Sequence, residues 1–150
     1  MLRVEELHEQ AIDIAENAFA AKRRGHMEAA KQLFLEALEL EREAAFFYLP
    51  NRDSEPTRSI LFRSAAALAF HAGDYEQAEQ LVSNGLAGFP PPEIKNELRI
   101  LRDDIEFRYH ISLNGAMITE QQMQMTLWGA ATGYGIIPVD LLIRRVEQIR

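Results

Sequence analysis

Four histidines and no cysteine bound the side-chain chemistry open to this 150-residue chain. Without thiols there is no disulfide, no thiolate metal site and no cysteine nucleophile. Glu5-x-x-His8 has the spacing of one half of a di-iron site in a helical bundle, but a second such half is missing. The expected setting of His8 is a solvated helix start. His26 and His110 stand in no recognisable motif. His71 and Asp74 span a turn with no nucleophile beside them, and there is neither a His-Glu-x-x-His pair nor a phosphate-binding loop with its lysine. The run Gly129-Ala130-Ala131-Thr132-Gly133-Tyr134-Gly135 offers backbone N–H groups for an anion. It lacks lysine, however, and the helix after it opens at Pro138, which has no N–H, so it reads as a strand-to-helix turn. The chain therefore points to recognition rather than catalysis, with no enzyme activity, metal or cofactor expected.

A net charge of −7 argues against general nucleic-acid binding, which needs an excess of Lys and Arg to neutralise phosphates. The acid is unevenly spread. From Phe107 onward, Arg108, Arg144, Arg145 and Arg150 nearly balance Glu120, Asp140 and Glu147, so residues 1–106 carry almost all the negative charge. The N-terminal stretch is acidic and lacks an apolar signal core. No apolar run approaches the length of roughly 18 residues that a membrane helix needs. The cytoplasm is the expected compartment.

The elements that must position any site read as mainly α. A helix over about 2–24 carries Leu7, Ala11, Ile14, Ala15, Ala18 and Phe19 on one face, with Lys22, Arg23 and Arg24 in its last turn and Gly25 to end it. A second, over about 26–48, is striped by Ala30, Leu33, Phe34, Ala37 and Leu38. After a loop from Pro50 to Pro56, a third helix spans about 57–72 and a fourth about 74–87, with Asp74 as N-cap and Gln77 placed for a capping box. A fifth, about 92–106, has one stripe of Ile94, Leu98, Leu101 and Ile105 and a face with Lys95, Glu97, Arg99, Arg102, Asp103 and Asp104 that should be solvated. Then the period changes. Phe107, Tyr109, Ile111 and Leu113 alternate with polar residues, as do Met123, Met125 and Leu127, which predicts a small β-hairpin; a short helix over 119–128 is the rival reading. A final helix follows Pro138. Two sections result, a helical domain at 1–106 with the fifth helix as its cap, and a small α+β section at 107–150 packed on it.

Two segments repeat one pattern. Gly25-His26-Met27-Glu28-Ala29-Ala30, with Ala37-Leu38 beyond, is echoed by Gly73-Asp74-Tyr75-Glu76-Gln77-Ala78, with Gly85-Leu86 and Pro90. The glycines turn the chain, and the small residues let helices approach closely. At these residues the sequence resembles the tetratricopeptide repeat family over about 11–40 and 59–92. The two glycines lie further apart than the family's period of about 34 residues, so the second helix and the loop from Pro50 to Pro56 count as an insertion.

The resemblance implies antiparallel helical hairpins stacked into an α–α superhelix, and a non-enzymatic module or adaptor that binds a protein or peptide partner. The concave groove would be formed by the first helix of each repeat. That places Phe19, Lys22 and Arg23 from one helix, and Arg63, Ala67, Phe70 and His71 from another, on the candidate surface. Lys22, Arg23 and Arg63 suit an acidic peptide or a terminal carboxylate, and Phe19 and Phe70 an apolar anchor. The other reading makes the cations solvated dipole partners and the two Phe core. Trp128, the single tryptophan, marks either a second contact surface or a second buried face. Apolar surface left by only two repeats is compatible with a homodimer. The alternative function is a small-ligand sensor or regulatory domain using the C-terminal hairpin and glycine loop.

Overall fold

The computed structural model describes residues 3–114. They form five helices: α1 (Val4–Arg23), α2 (Met27–Phe47), α3 (Thr57–Ala72), α4 (Tyr75–Leu86) and α5 (Pro92–Asn114). Each helix packs on the next in chain order, and α5 also reaches α3. The turns after α1 and α3 are too short for anything but a reversal of direction.

Both turns use one device. Gly25 takes a φ of 82° and Gly73 a φ of 83°. This left-handed conformation costs a residue with a Cβ about 1–2 kcal/mol, and glycine almost nothing. Around Gly25, its own N–H bonds the carbonyl of Lys22 and the N–H of His26 bonds that of Ala21. Around Gly73 the same pair of bonds runs to Phe70 and, from Asp74, to Ala69. Helix α4 then starts on the carboxylate of Asp74, which accepts from the Gln77 backbone at 3.1 Å and from the Gln77 amide side chain at 3.0 Å. Helix α3 starts at Pro56 without a side-chain cap of its own. Glu55 supplies one, accepting from the Ser59 N–H at 3.2 Å and its hydroxyl at 2.6 Å.

The core is built from small residues at helix contacts and large ones between them. Ala15, Ala18, Ala37, Ala65, Ala66 and Ala78 are fully buried, while Phe34, Leu38, Phe62, Leu68 and Leu81 fill the spaces. A Cβ on Gly85 would stand 3.1 Å from a Leu98 methyl and 3.3 Å from the Phe62 Cβ. Glycine there lets α4 close on α3 and α5 at the density of a packed interior. Helix α3 is the axis of the molecule. Fourteen of its sixteen residues are buried, with α2, α4 and α5 against it.

Three expectations are corrected. Residues Phe107–Leu113 are not a strand; α5 continues through them to Asn114 and across the proposed 106/107 boundary. Once a helix is nucleated, each further residue adds a bond at little cost, and this outweighs a short alternation of apolar and polar residues. Second, the polar face of α5 is not all solvated, because Glu97 and Asp104 are buried. Third, His8 is fully buried, with Nδ1 2.9 Å from a carboxylate oxygen of the equally buried Glu41 on α2. The second strand, the glycine-rich run, the final helix and Trp128 lie outside the described residues. Among those described, no helix is long and apolar enough to cross a membrane.

Candidate functional site

The last turn of α3 carries His71 to a place that residues of all five helices border. Its ring lies 5.4 Å from that of Phe34 on α2 and nearly parallel to it, at 23°. Phe19 on α1 and Phe70 meet it edge-on at 5.1 and 5.6 Å. Phe19 and Phe34 are themselves edge-to-face at 4.9 Å, and Tyr75 at the start of α4 backs Phe70 at 5.8 Å. Such aromatic pairs add about 0.5–1.5 kcal/mol each beyond the area they bury, so the ring set is a firm floor. Above it is an open hollow of about 400 Å3, bordered by Lys22, Lys31, Phe70, His71, Tyr75 and Arg108 among others.

The electrostatics follow from that placement. His71 is partly exposed to the hollow. Burial against the rings, and then the charges of Lys22 and Arg108, push its pKa from 6.5 down to about 3, so it is neutral near pH 7. Lys22 is pulled below the ordinary lysine value by desolvation and then by Arg108. Two cations, one from α1 and one from α5, thus repel each other beside a neutral imidazole. Against Lys22, Lys31 and Arg108, Glu28 is the one acid among the described lining residues. Asp104 lies one turn before Arg108 on α5. Its carboxyl is raised to about 7 by burial and then by Asp103, against the opposing pull of Arg108, and its Oδ2 has no hydrogen-bond partner.

The residues singled out from sequence divide sharply. Lys22, Phe70 and His71 come together at the hollow, and Phe19 lies behind His71. Arg23 is exposed but does not line the hollow. Ala67 is buried at 2% exposure. Arg63 is corrected outright: its guanidinium is fully buried and forms an ion pair with Glu97 of α5, so it is turned inward rather than toward a ligand. The alternative placing of Phe19 and Phe70 in the core describes their burial, although both also touch the imidazole that faces the hollow. His71 and Asp74 do not form a dyad, since the Asp74 carboxylate is engaged with Gln77 at the cap of α4.

Three members of the site escape a reading of the sequence. There Phe34 belongs to the apolar stripe of the second helix, Tyr75 to the repeated segment, and Arg108 to the polar set of an expected strand. The available signal for Arg108 is its position three residues after Ile105 and seven after Leu101, which continues the inward stripe of α5.

A second, more open depression of about 720 Å3 lies between α2 and α4. There Arg42 sits over the Phe46 ring at 5.0 Å, with Glu76 and Glu79 also in the lining, so the depression has no excess of cations. Among the described residues no group of His, Asp and Glu has the arrangement of a metal site. Comparison with family models, curated proteins and solved structures returns no match, so the hollow stands on its own geometry as the candidate site.

Proposed function

We propose that the protein is a non-enzymatic interaction module of tetratricopeptide-like helical hairpins, and that it binds an acidic segment of a partner protein in the hollow bordered by α1, α2, the end of α3, the start of α4 and α5. The observation that carries this reading is the convergence of Lys22 and Arg108 on His71 over a floor of aromatic rings. Arg108 stands close enough to Lys22 to help lower its pKa, so the two like charges cost free energy in the empty site, and an anionic ligand relieves that cost. Carboxylates give the charge-assisted bonds that Arg and Lys favour, and the rings accept apolar side chains beside the acid. The repeated glycine turns after α1 and α3, and the packing of α5 on both α3 and α4, support the hairpin-stack reading.

The test is direct binding of a blocked acidic heptapeptide, acetyl-Gly-Leu-Glu-Glu-Phe-Glu-Gly-amide, by fluorescence polarisation, against its Gln and Lys counterparts. The acidic peptide should bind best, more weakly as salt rises, and at least about tenfold more weakly to a folded Lys22→Glu/Arg108→Glu variant. Equal binding of all three peptides, or an unaffected variant, removes the proposal.

A further inference from the structure

The hollow contains a feature that simple charge pairing does not require. A neutral histidine sits within the influence of Lys22 and Arg108, two of the hollow's three cations, and against three phenylalanine rings. A third permanent cation there would be repelled by Lys22 and Arg108, and an aliphatic side chain would complete the apolar floor. Histidine alone can do either job, according to what occupies the hollow.

We infer that seating a carboxylate between Lys22 and Arg108 draws a proton from solvent onto His71, so that the site takes up its acidic ligand together with one proton. This rests on the reading of the hollow as an acid-binding site. In the empty hollow three influences hold the imidazole neutral: burial first, then Lys22 and Arg108. A bound carboxylate offsets the two charges and offers an acceptor to the imidazolium. The nearly parallel Phe34 ring then acts in the same direction, because an aromatic face attracts a cation laid over it.

The charged and titratable groups around His71 come from every neighbouring element. They are Lys22 on α1, Glu28 and Lys31 on α2, Tyr75 on α4, and Arg108 with Asp104 behind it on α5. The peptide carboxylates titrate near pH 4, far from the range of interest. Lys22 is lowered and belongs to the same cluster. Asp104 falls within the neutral range, at about 7, and therefore needs its own control.

The sign and size follow from linkage. Burial persists in the complex, so the limit is a His71 returned to its ordinary 6.5 while the free protein stays near 3, which raises the affinity by at most about 30-fold between about pH 7.5 and 5.0. The experiment measures the Kd of the same blocked acidic heptapeptide across that range for the intact protein, for His71→Gln and for Asp104→Asn. The His71 ring is followed by NMR in the same titration. The expected result is a rise of several-fold, up to about 30-fold, for the wild-type protein, kept by Asp104→Asn and lost by His71→Gln, with the imidazole signal moving to its protonated position only when peptide is bound. Wild-type binding that is flat with pH, or a ring that stays neutral in the complex, overturns proton uptake while leaving acid binding intact. A pH dependence that vanishes in Asp104→Asn overturns it too, by assigning the proton to Asp104. Failure of the peptide to bind at any pH overturns both readings.

Discussion

Removing one partner of the Arg63–Glu97 pair should be among the most damaging single changes in the protein, and removing both should be among the mildest. Both side chains are 1% exposed, and the pair joins α3 to α5. Glu97→Leu leaves the guanidinium in a dry contact without its carboxylate, a loss of about 3–5 kcal/mol. With an unfolding entropy of about 2.1 cal/mol/K per residue over the roughly 110 described residues, that lowers Tm by about 13–22 °C. Arg63→Met combined with Glu97→Leu removes both charges and refills the volume with apolar atoms, and should fall within about 1 kcal/mol of wild type or exceed it. Urea unfolding followed by circular dichroism gives all four corners of the cycle. A cost below about 1 kcal/mol for Glu97→Leu, or a double variant that costs the sum of the singles, would refute the reasoning. The double variant has a second use. Because Arg63 faces inward, its replacement should leave binding of an acidic peptide unchanged once folding is secured.

Gly85→Leu should destabilise by about 1–3 kcal/mol or more, because a side chain there drives into Leu98 and Phe62; denaturant unfolding with unchanged helical content measures it. Nothing crowds Gly73, so its φ of 83° is the obstacle to a side chain there. Gly73→Ala should accordingly cost about 1–2 kcal/mol in the same unfolding assay. Asp104 has a folded value of about 7 against 3.8 unfolded, so the stability it contributes is complete below about pH 4 and is lost as pH rises through 7. Asp104→Asn should accordingly be near neutral at pH 4 and stabilising by about 1–3 kcal/mol at pH 8. His71 works the opposite way. The unfolded chain takes a proton below pH 6.5 that the free folded protein refuses until about 3, so stability falls as the solution is acidified through that window. Screening at the open hollow limits the loss to the order of about 1–2 kcal/mol, and His71→Gln should abolish it in a pH series of thermal melts.

The sequence carried the helices well, because Gly25, Gly73, Asp74 and the proline run at Pro90–Pro92 are local signals and the structure uses them locally. It carried Lys22, Phe70 and His71 to one surface because they follow a single helical period from the turns. It failed where a residue's fate depends on a distant partner. Nothing near His8 reveals Glu41, which lies 33 positions away, and nothing in the charged face of α5 separates buried Glu97 and Asp104 from exposed Lys95 and Arg99. The alternation at Phe107–Leu113 misled for the same reason. Period two over so short a run is a weak signal, and the continuing stripe of α5 outweighed it.

The burial of α3 has one more consequence. A helix enclosed along nearly its whole length has no side left with which to adapt to a new partner, and almost any enlargement of its alanines would disturb a neighbour. Only its tip, at His71, meets the hollow. On the proposed reading, whatever distinguishes one ligand from another is then written on the helices that border that tip, at Lys22 of α1, Lys31 of α2 and Arg108 of α5. Altered specificity should be reachable by exchanging those three exposed or partly exposed side chains, with the spindle they surround left untouched.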